Sequence, residues 1–151
     1  MKELFSNQIL LAALIGWLMA QIVKVPLEFL RTHKWNWAVL LSTGGMPSSH
    51  SALVSAMAHG VGLRAGFDSP LFALGFVLTA IVVYDATGIR RQAGLHAELI
   101  NAFINDLTTG HPIKEAQQKQ LKEILGHTPL EAISGIVWGV AFSTFFWWLW
   151  T

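Results

Sequence analysis

The chain has 151 residues, 53% of them hydrophobic and only 13% charged, where a soluble domain carries about 25% charged residues. Its mean hydropathy is +0.49. So few polar groups cannot coat a soluble globule, which excludes disorder, a nucleic-acid-binding arm and an ordinary cytosolic enzyme, and leaves an integral membrane protein of one domain, residues 1–151. Cysteine is absent, which excludes a disulfide scaffold, a thiolate metal site and a cysteine nucleophile. The formal net charge of +1 names no partner; the placement of the charges is more informative.

A helix that crosses a bilayer needs about 20 mostly apolar residues. Residues 4–23 supply the first such run, uncharged until Lys24. A signal peptide is the competing reading. Lys2 is offset by Glu3 and no small-residue cleavage site follows, so a retained span is expected. Residues 35–43 are apolar but long enough for half a crossing only, and read as an interfacial or re-entrant piece. Residues 49–63 read as a short second span. Residues 70–87 form the third, with Asp85 near its end. Residues 129–150 form the fourth, with Glu131 as its one acid and a closing Phe-Phe-Trp-Trp-Leu-Trp cluster at interfacial depth.

Between the third and fourth spans, Leu95, Leu99, Ile100, Phe103, Ile104 and Leu107 recur at helical spacing. Residues 113–125 repeat the pattern more weakly after Gly110-His111-Pro112. Both stretches read as amphipathic helices on the membrane surface or over the bundle. The predicted fold is therefore an all-α membrane bundle of about four spans with interfacial helices in a long loop. Such a bundle is thin, which leaves homo-oligomerisation open. Gly60, Gly62, Gly135 and Gly139 allow close helix packing, within one chain or between chains.

Four spans put the 24–48 and 88–128 loops on one side. That side holds Lys24, Arg31, Lys34, Arg90, Arg91, Lys114, Lys119 and Lys122; the other holds Lys2 and Arg64. The asymmetry predicts cytoplasmic long loops and both termini outside the cell's inner (plasma) membrane.

Charged and polar groups at membrane depth are functional suspects, and here they form four clusters at one face. Lys24 and Arg31 are seven residues apart, two helical turns, so both can point the same way; alone they read equally as snorkelling cations. Gly44-Gly45-Met46-Pro47-Ser48-Ser49-His50-Ser51 has the makings of an anion cradle. Its glycines free the backbone, Ser48 or Ser49 caps a helix whose first N–H groups point outward, and His50 sits in the first turn. Asp85-Ala86-Thr87-Gly88-Ile89-Arg90-Arg91 reads either as a membrane stop with a local ion pair, or as an Arg that grips phosphate while Asp85 orients it. In Gly126-His127-Thr128-Pro129-Leu130-Glu131, Thr128, Pro129 and Glu131 spell a capping box. That leaves His127 unexplained, with Glu131 four residues on and able to hold its imidazole in one tautomer. Together these residues fit phosphoryl transfer to water, with cations on the phosphate oxygens, one His attacking phosphorus and the other protonating the leaving alkoxide. No metal or other cofactor is expected. His111 is a spare nucleophile, His59 and His96 read as ordinary helix residues, and His33 as an interfacial one.

The runs GGMPSSHSA, DATGIRR and GHTPLEA resemble the divergent branch of the type-2 phosphatidic acid phosphatase superfamily, membrane proteins related to acid phosphatases and vanadium haloperoxidases. The resemblance covers nearly the whole chain. It makes Lys24 and Arg31 phosphate ligands, with Thr32 where the superfamily has Pro. It matches Pro47-Ser48-Ser49-His50 to Pro-Ser-Gly-His, and so implies His50 as the leaving-group acid with Ser48 and Ser49 at the phosphate. It implies a phosphohistidine on His127, held by Glu131 where the superfamily has Asp. The superfamily's Arg six residues before that His is replaced here by Leu121, and Arg90 or Arg91 stands in from across the loop. The implied activity is a metal-independent lipid-phosphate phosphatase. A cytoplasmic site favours phosphatidylglycerophosphate, then phosphatidic acid, over undecaprenyl diphosphate. A non-catalytic lipid-binding or transport protein on the same scaffold is the alternative from another class, and a vanadate-dependent peroxidase is set aside for want of a large soluble site.

Overall fold

A computed structural model describes residues 5–42, 44–108 and 126–150. Among these residues, five α-helices and one 3-10 turn follow in order: α1 (Gln8–Thr32), the turn Trp37–Leu41, α2 (Ser49–Ala65), α3 (Pro70–Thr87), α4 (Ile89–Thr108) and α5 (Pro129–Trp150). No strand occurs among the described residues.

The starts of these helices are written in local chemistry. Asn7 accepts the Leu10 N–H at 3.1 Å, Ser48 the Ser51 N–H at 3.3 Å, and Ser69 the Phe72 N–H at 3.2 Å with Pro70 in the first turn. Each cap satisfies a helix-end donor that has no carbonyl of its own. The Thr128 capping box is present in both directions. Glu131 Oε2 accepts the Thr128 N–H at 2.9 Å, and the Glu131 N–H donates to Thr128 Oγ1 at 3.3 Å.

α2 is the axis of the bundle, packed on α1, α3 and α5, while α3 and α5 scarcely meet each other. The core is built from small residues: Ala12, Ala13, Ala20, Ala52, Ala56, Ala58 and Ala132 are buried, with Gly135 and Gly139. The large apolar side chains face outward, among them Leu18, Leu74, Phe76, Ile81, Val137 and Trp148. A water-soluble protein would reverse that arrangement. In lipid, helices associate by close backbone approach rather than by hiding large apolar groups. The closest approach is α2 to α5, where a Cβ on Gly135 would collide with the Ser48 carbonyl and one on Gly139 with Ser55 Oγ and the Ala52 carbonyl. The close packing foreseen at Gly135 and Gly139 is thus within the chain.

Among the described residues, three helices are long and apolar enough to cross a membrane: Gln8–Thr32, Pro129–Trp150 and the run Pro70–Asn105, which joins α3 to most of α4. α2, the expected short second span, has 17 residues and is wrapped by the other helices, so it need not be apolar all round. Within the expected interfacial piece, the described residues 35–42 are too short to cross; the 3-10 turn there is pinned by the Gln21 side chain, whose Nε2 donates to the Leu40 carbonyl at 2.9 Å. The expected amphipathic helix after the third span is α4. Its partner at 113–125, with Lys114, Lys119, Lys122 and His111, lies outside the described residues.

Candidate active site

Four elements converge at one end of the bundle. His50 stands in the first turn of α2, Asp85 and Ala86 at the end of α3, Arg90 in the first turn of α4, and His127 just before α5. Two backbone hydrogen bonds fix the segment ahead of α5. The His127 N–H donates to the Ala86 carbonyl at 2.8 Å, and the Ser48 N–H donates to the Glu131 carbonyl at 3.0 Å. Gly126 makes the turn into His127 with φ +87°, where a Cβ would lie 2.7 Å from Arg91 Cα and 2.8 Å from the Ala86 carbonyl. Only glycine fits that close approach.

The result is a cavity of about 200 Å³ lined by His50, Ile81, Val82, Asp85, Ala86, Arg90, Gly126 and His127. The two imidazoles share it, with ring centroids 6.2 Å apart. His127 is 2% exposed, and neither ring nitrogen has a hydrogen-bond partner among the described residues. Its Nδ1 lies 3.5 Å from Glu131 Oε2, longer than a hydrogen bond of about 2.7–3.2 Å, while the same oxygen holds the Thr128 N–H. Glu131 therefore serves the cap and backs the imidazole together. An unpartnered buried imidazole is costly unless something else is bound there. At the mouth, Arg90 Nε forms an ion pair with Asp85 Oδ2.

Lys24 takes another place than a snorkelling cation. It is 1% exposed, and its Nζ donates to the Gly44 carbonyl at 3.0 Å and to Ser49 Oγ at 3.5 Å. It thereby clamps the glycine loop onto the start of α2, within electrostatic reach of Glu131 and His50. Lys24→Met should therefore cost about 1–3 kcal/mol of stability, because the buried Gly44 carbonyl loses its charged donor and keeps only the Ser42 hydroxyl at 3.2 Å. Thermal unfolding in detergent measures this, and a merely snorkelling lysine would give almost no change.

Some expected residues stand apart from the cavity. Arg31 shares an angular face with Lys24 but sits about 10 Å further along α1 at 1.5 Å per residue, past the bundle, and is exposed. Ser48 is fully buried, and its hydroxyl oxygen accepts from the Ser51 N–H and the Ser51 hydroxyl, so capping uses it. Ser49 faces Lys24. Arg91 is exposed and contributes backbone beside Gly126. Of the two adjacent arginines, Arg90 is the one that lines the cavity.

Sequence reasoning did not single out Ile81 and Val82, the cavity's apolar wall; they precede Asp85 by one helical turn, so the 3.6-residue period was the available signal. His59 was passed over too, yet its Nδ1 lies 2.8 Å from Ser143 Oγ and ties α2 to α5.

The sequence profile of the Divergent PAP2 family matches residues 5–142, a stretch that includes every element lining the cavity. The chain belongs to the Divergent PAP2 family. A Bacillus subtilis (strain 168) relative, "Uncharacterized membrane protein YuiD", is 42% identical over 146 residues, covering 91% of this chain and 92% of its own. No solved structure matches. Membership in the Divergent PAP2 family agrees with the helical membrane scaffold and leaves the chemistry of the site to be argued from its residues.

Proposed function

We propose that the protein is a membrane lipid-phosphate phosphatase that works through a phosphohistidine. The observation that carries this reading is the buried, unpartnered imidazole of His127 facing His50 across one cavity, with Glu131 behind it and Arg90 at the mouth.

Glu131, 3.5 Å behind Nδ1, favours the tautomer with the proton on that nitrogen, which leaves Nε2 with its lone pair. Nε2 attacks phosphorus, and the ester P–O bond breaks as His50 gives its proton to the departing alkoxide. Water then attacks the phosphohistidine while His50 takes the water's proton. The P–N bond breaks, releasing inorganic phosphate and restoring His127. Arg90, oriented by Asp85, offers its guanidinium to the non-bridging oxygens. Lys24 adds positive potential from behind the loop. Arg and Lys supply the charge that a metal ion would otherwise supply, so turnover without added metal is expected.

The favoured substrate is a phospholipid phosphomonoester, phosphatidylglycerophosphate first and phosphatidic acid next. The charge asymmetry of the loops supports a site at the cytoplasmic face of the plasma membrane, where those head groups lie; undecaprenyl diphosphate is the alternative. Phosphate release by detergent-purified protein from each of the three, without metal and with or without vanadate, tests the reading. Vanadate-sensitive release supports it. A folded protein that releases none would instead be a lipid-binding or transport protein, a role in which Arg90 stays committed to Asp85.

Glu131→Gln separates capping from catalysis. Glutamine can keep both capping hydrogen bonds, so the melting temperature should hold. Loss of the carboxylate behind His127 should lower kcat about 10- to 100-fold. An unchanged kcat would remove Glu131 from the mechanism.

A further inference from the structure

α3 and α5 diverge over α2, and the gap between them holds a second cavity. It is about 340 Å³ and is lined by α2 (Ala58, His59), α3 (Phe72, Phe76, Ala80, Val83) and α5 (Ile136, Val140), among others. Its surface is almost wholly apolar although Ser55, His59 and Thr79 border it, because their polar atoms are turned elsewhere. Ser55 Oγ donates to the Ser51 carbonyl at 2.7 Å, His59 Nδ1 meets Ser143 Oγ at 2.8 Å, and Thr79 Oγ1 donates to the Gly75 carbonyl at 2.8 Å. A site lined in this way has no means of holding water or a charged group.

This cavity adjoins the one at His127 along α3, although the two share no lining residue. On α3 the walls alternate, with Ile81, Val82 and Asp85 in the polar cavity and Ala80 and Val83 in the apolar one. Further along, aromatic rings end the gap. Phe67 packs on Phe72 at 5.1 Å and on His59 at 5.6 Å, and Phe72 on Phe76 at 6.2 Å. From Val83 to Phe72 the groove follows α3 for about 16 Å at 1.5 Å per residue. That is about half of a hydrocarbon core of ~30 Å, the depth to which one leaflet's lipid tails extend.

We infer that this groove is the acyl-chain site for the lipid whose phosphate group binds at His127, and that it takes one tail of ordinary membrane length and stops it at the Phe67–Phe72–Phe76 end. The inference rests on the phosphatase reading for the head group, but the groove can be tested apart from turnover. It also ranks substrates: a glycerophospholipid tail fits a one-leaflet groove, whereas a polyprenyl chain long enough to cross both leaflets overruns the aromatic end.

The test fills the groove. Ala80→Phe puts a bulky side chain within it and Val83→Phe puts one at its head-group end, both at residues that do not line the His127 cavity. Purified protein in phosphatidylglycerol vesicles doped with a phosphatidic acid that carries a photoactivatable group mid-tail is irradiated, and the labelled peptides are mapped. The expected result is labelling concentrated on the 72–83 peptide and on residues 136–140, reduced at least fivefold in whichever of the two variants retains the wild-type melting profile. Labelling spread evenly over the outward faces of α1, α3 and α5, and unchanged in the folded variant, would overturn the inference. In parallel, the same variants should lose at least tenfold in kcat/KM on dioleoyl phosphatidic acid and little on a water-soluble aryl phosphate. Equal loss on both substrates would also count against the groove. Absent turnover with concentrated labelling would refute the phosphatase reading and leave the tail site standing.

Discussion

Replacing His127 by alanine should lower phosphate release from phosphatidylglycerophosphate by about a thousandfold or more, the scale on which loss of a nucleophile is felt. The fold should survive the change. The residue's structural contribution is its backbone N–H to the Ala86 carbonyl, which alanine keeps, whereas the imidazole makes no hydrogen bond to the described residues that its removal would break. A buried side chain that contributes so little to its own surroundings is free to serve a ligand. His50→Ala should cost less, about 10²- to 10⁴-fold, because it removes a proton donor and leaves the attack possible. The measurement is a phosphate-release rate for both variants, with melting curves alongside. A His127→Ala protein that turns over normally would refute the assignment, and one that fails to melt cooperatively would move the residue to a structural role.

The second large effect concerns the helix crossing that carries the site. Gly139→Leu should destabilise the bundle by about 3 kcal/mol or more, at the upper end of what overpacking usually costs. Its first added carbon would meet Ser55 Oγ, the Ala52 carbonyl and, at 2.9 Å, the Ala56 nitrogen. Those are mostly backbone atoms, which cannot swing aside. Because α2 carries His50 and α5 follows His127, prising the two apart also separates the imidazoles. Val137→Leu, on the outward face of the same helix at 63% exposure, is the control and should change almost nothing. Denaturant or thermal unfolding in detergent compares the two. Equal stability would mean that α2 and α5 do not cross at these glycines.

Much of this architecture is legible in residues whose chemistry is local. The capping box at Thr128 and Glu131, the Ser69-Pro70 start of α3 and the apolar run of α5 each depend on neighbours a few positions away, and sequence spacing reports such neighbours directly. The resemblance carried by GGMPSSHSA and GHTPLEA anticipated that His50 and His127 would meet, although 77 positions separate them. Lys24 and Arg31 mark where pattern reading fails. A helical period gives the angle at which a side chain leaves the axis, but not whether another helix extends far enough to cover it. Lys24 meets the glycine loop; Arg31, two turns on, stays exposed. Ser48 misleads for another reason. A serine that caps a helix must turn its hydroxyl back onto the helix's own N–H groups, so the cue that locates it also removes it from the cavity. The apolar groove had no sequence signal, since it is formed by the divergence of α3 from α5, a tertiary property.

The central claim is that His127 carries the phosphoryl group. Its most direct test is to mix the protein with phosphatidylglycerophosphate, quench within milliseconds at alkaline pH, where phosphohistidine survives, and map the phosphate by mass spectrometry of the peptides. The account predicts a transient phosphate on the His127 peptide, accumulating in His50-deficient protein if hydrolysis of the intermediate also needs that imidazole. Phosphate on another residue, or rapid phosphate release with none trapped on His127 in either protein, would contradict it.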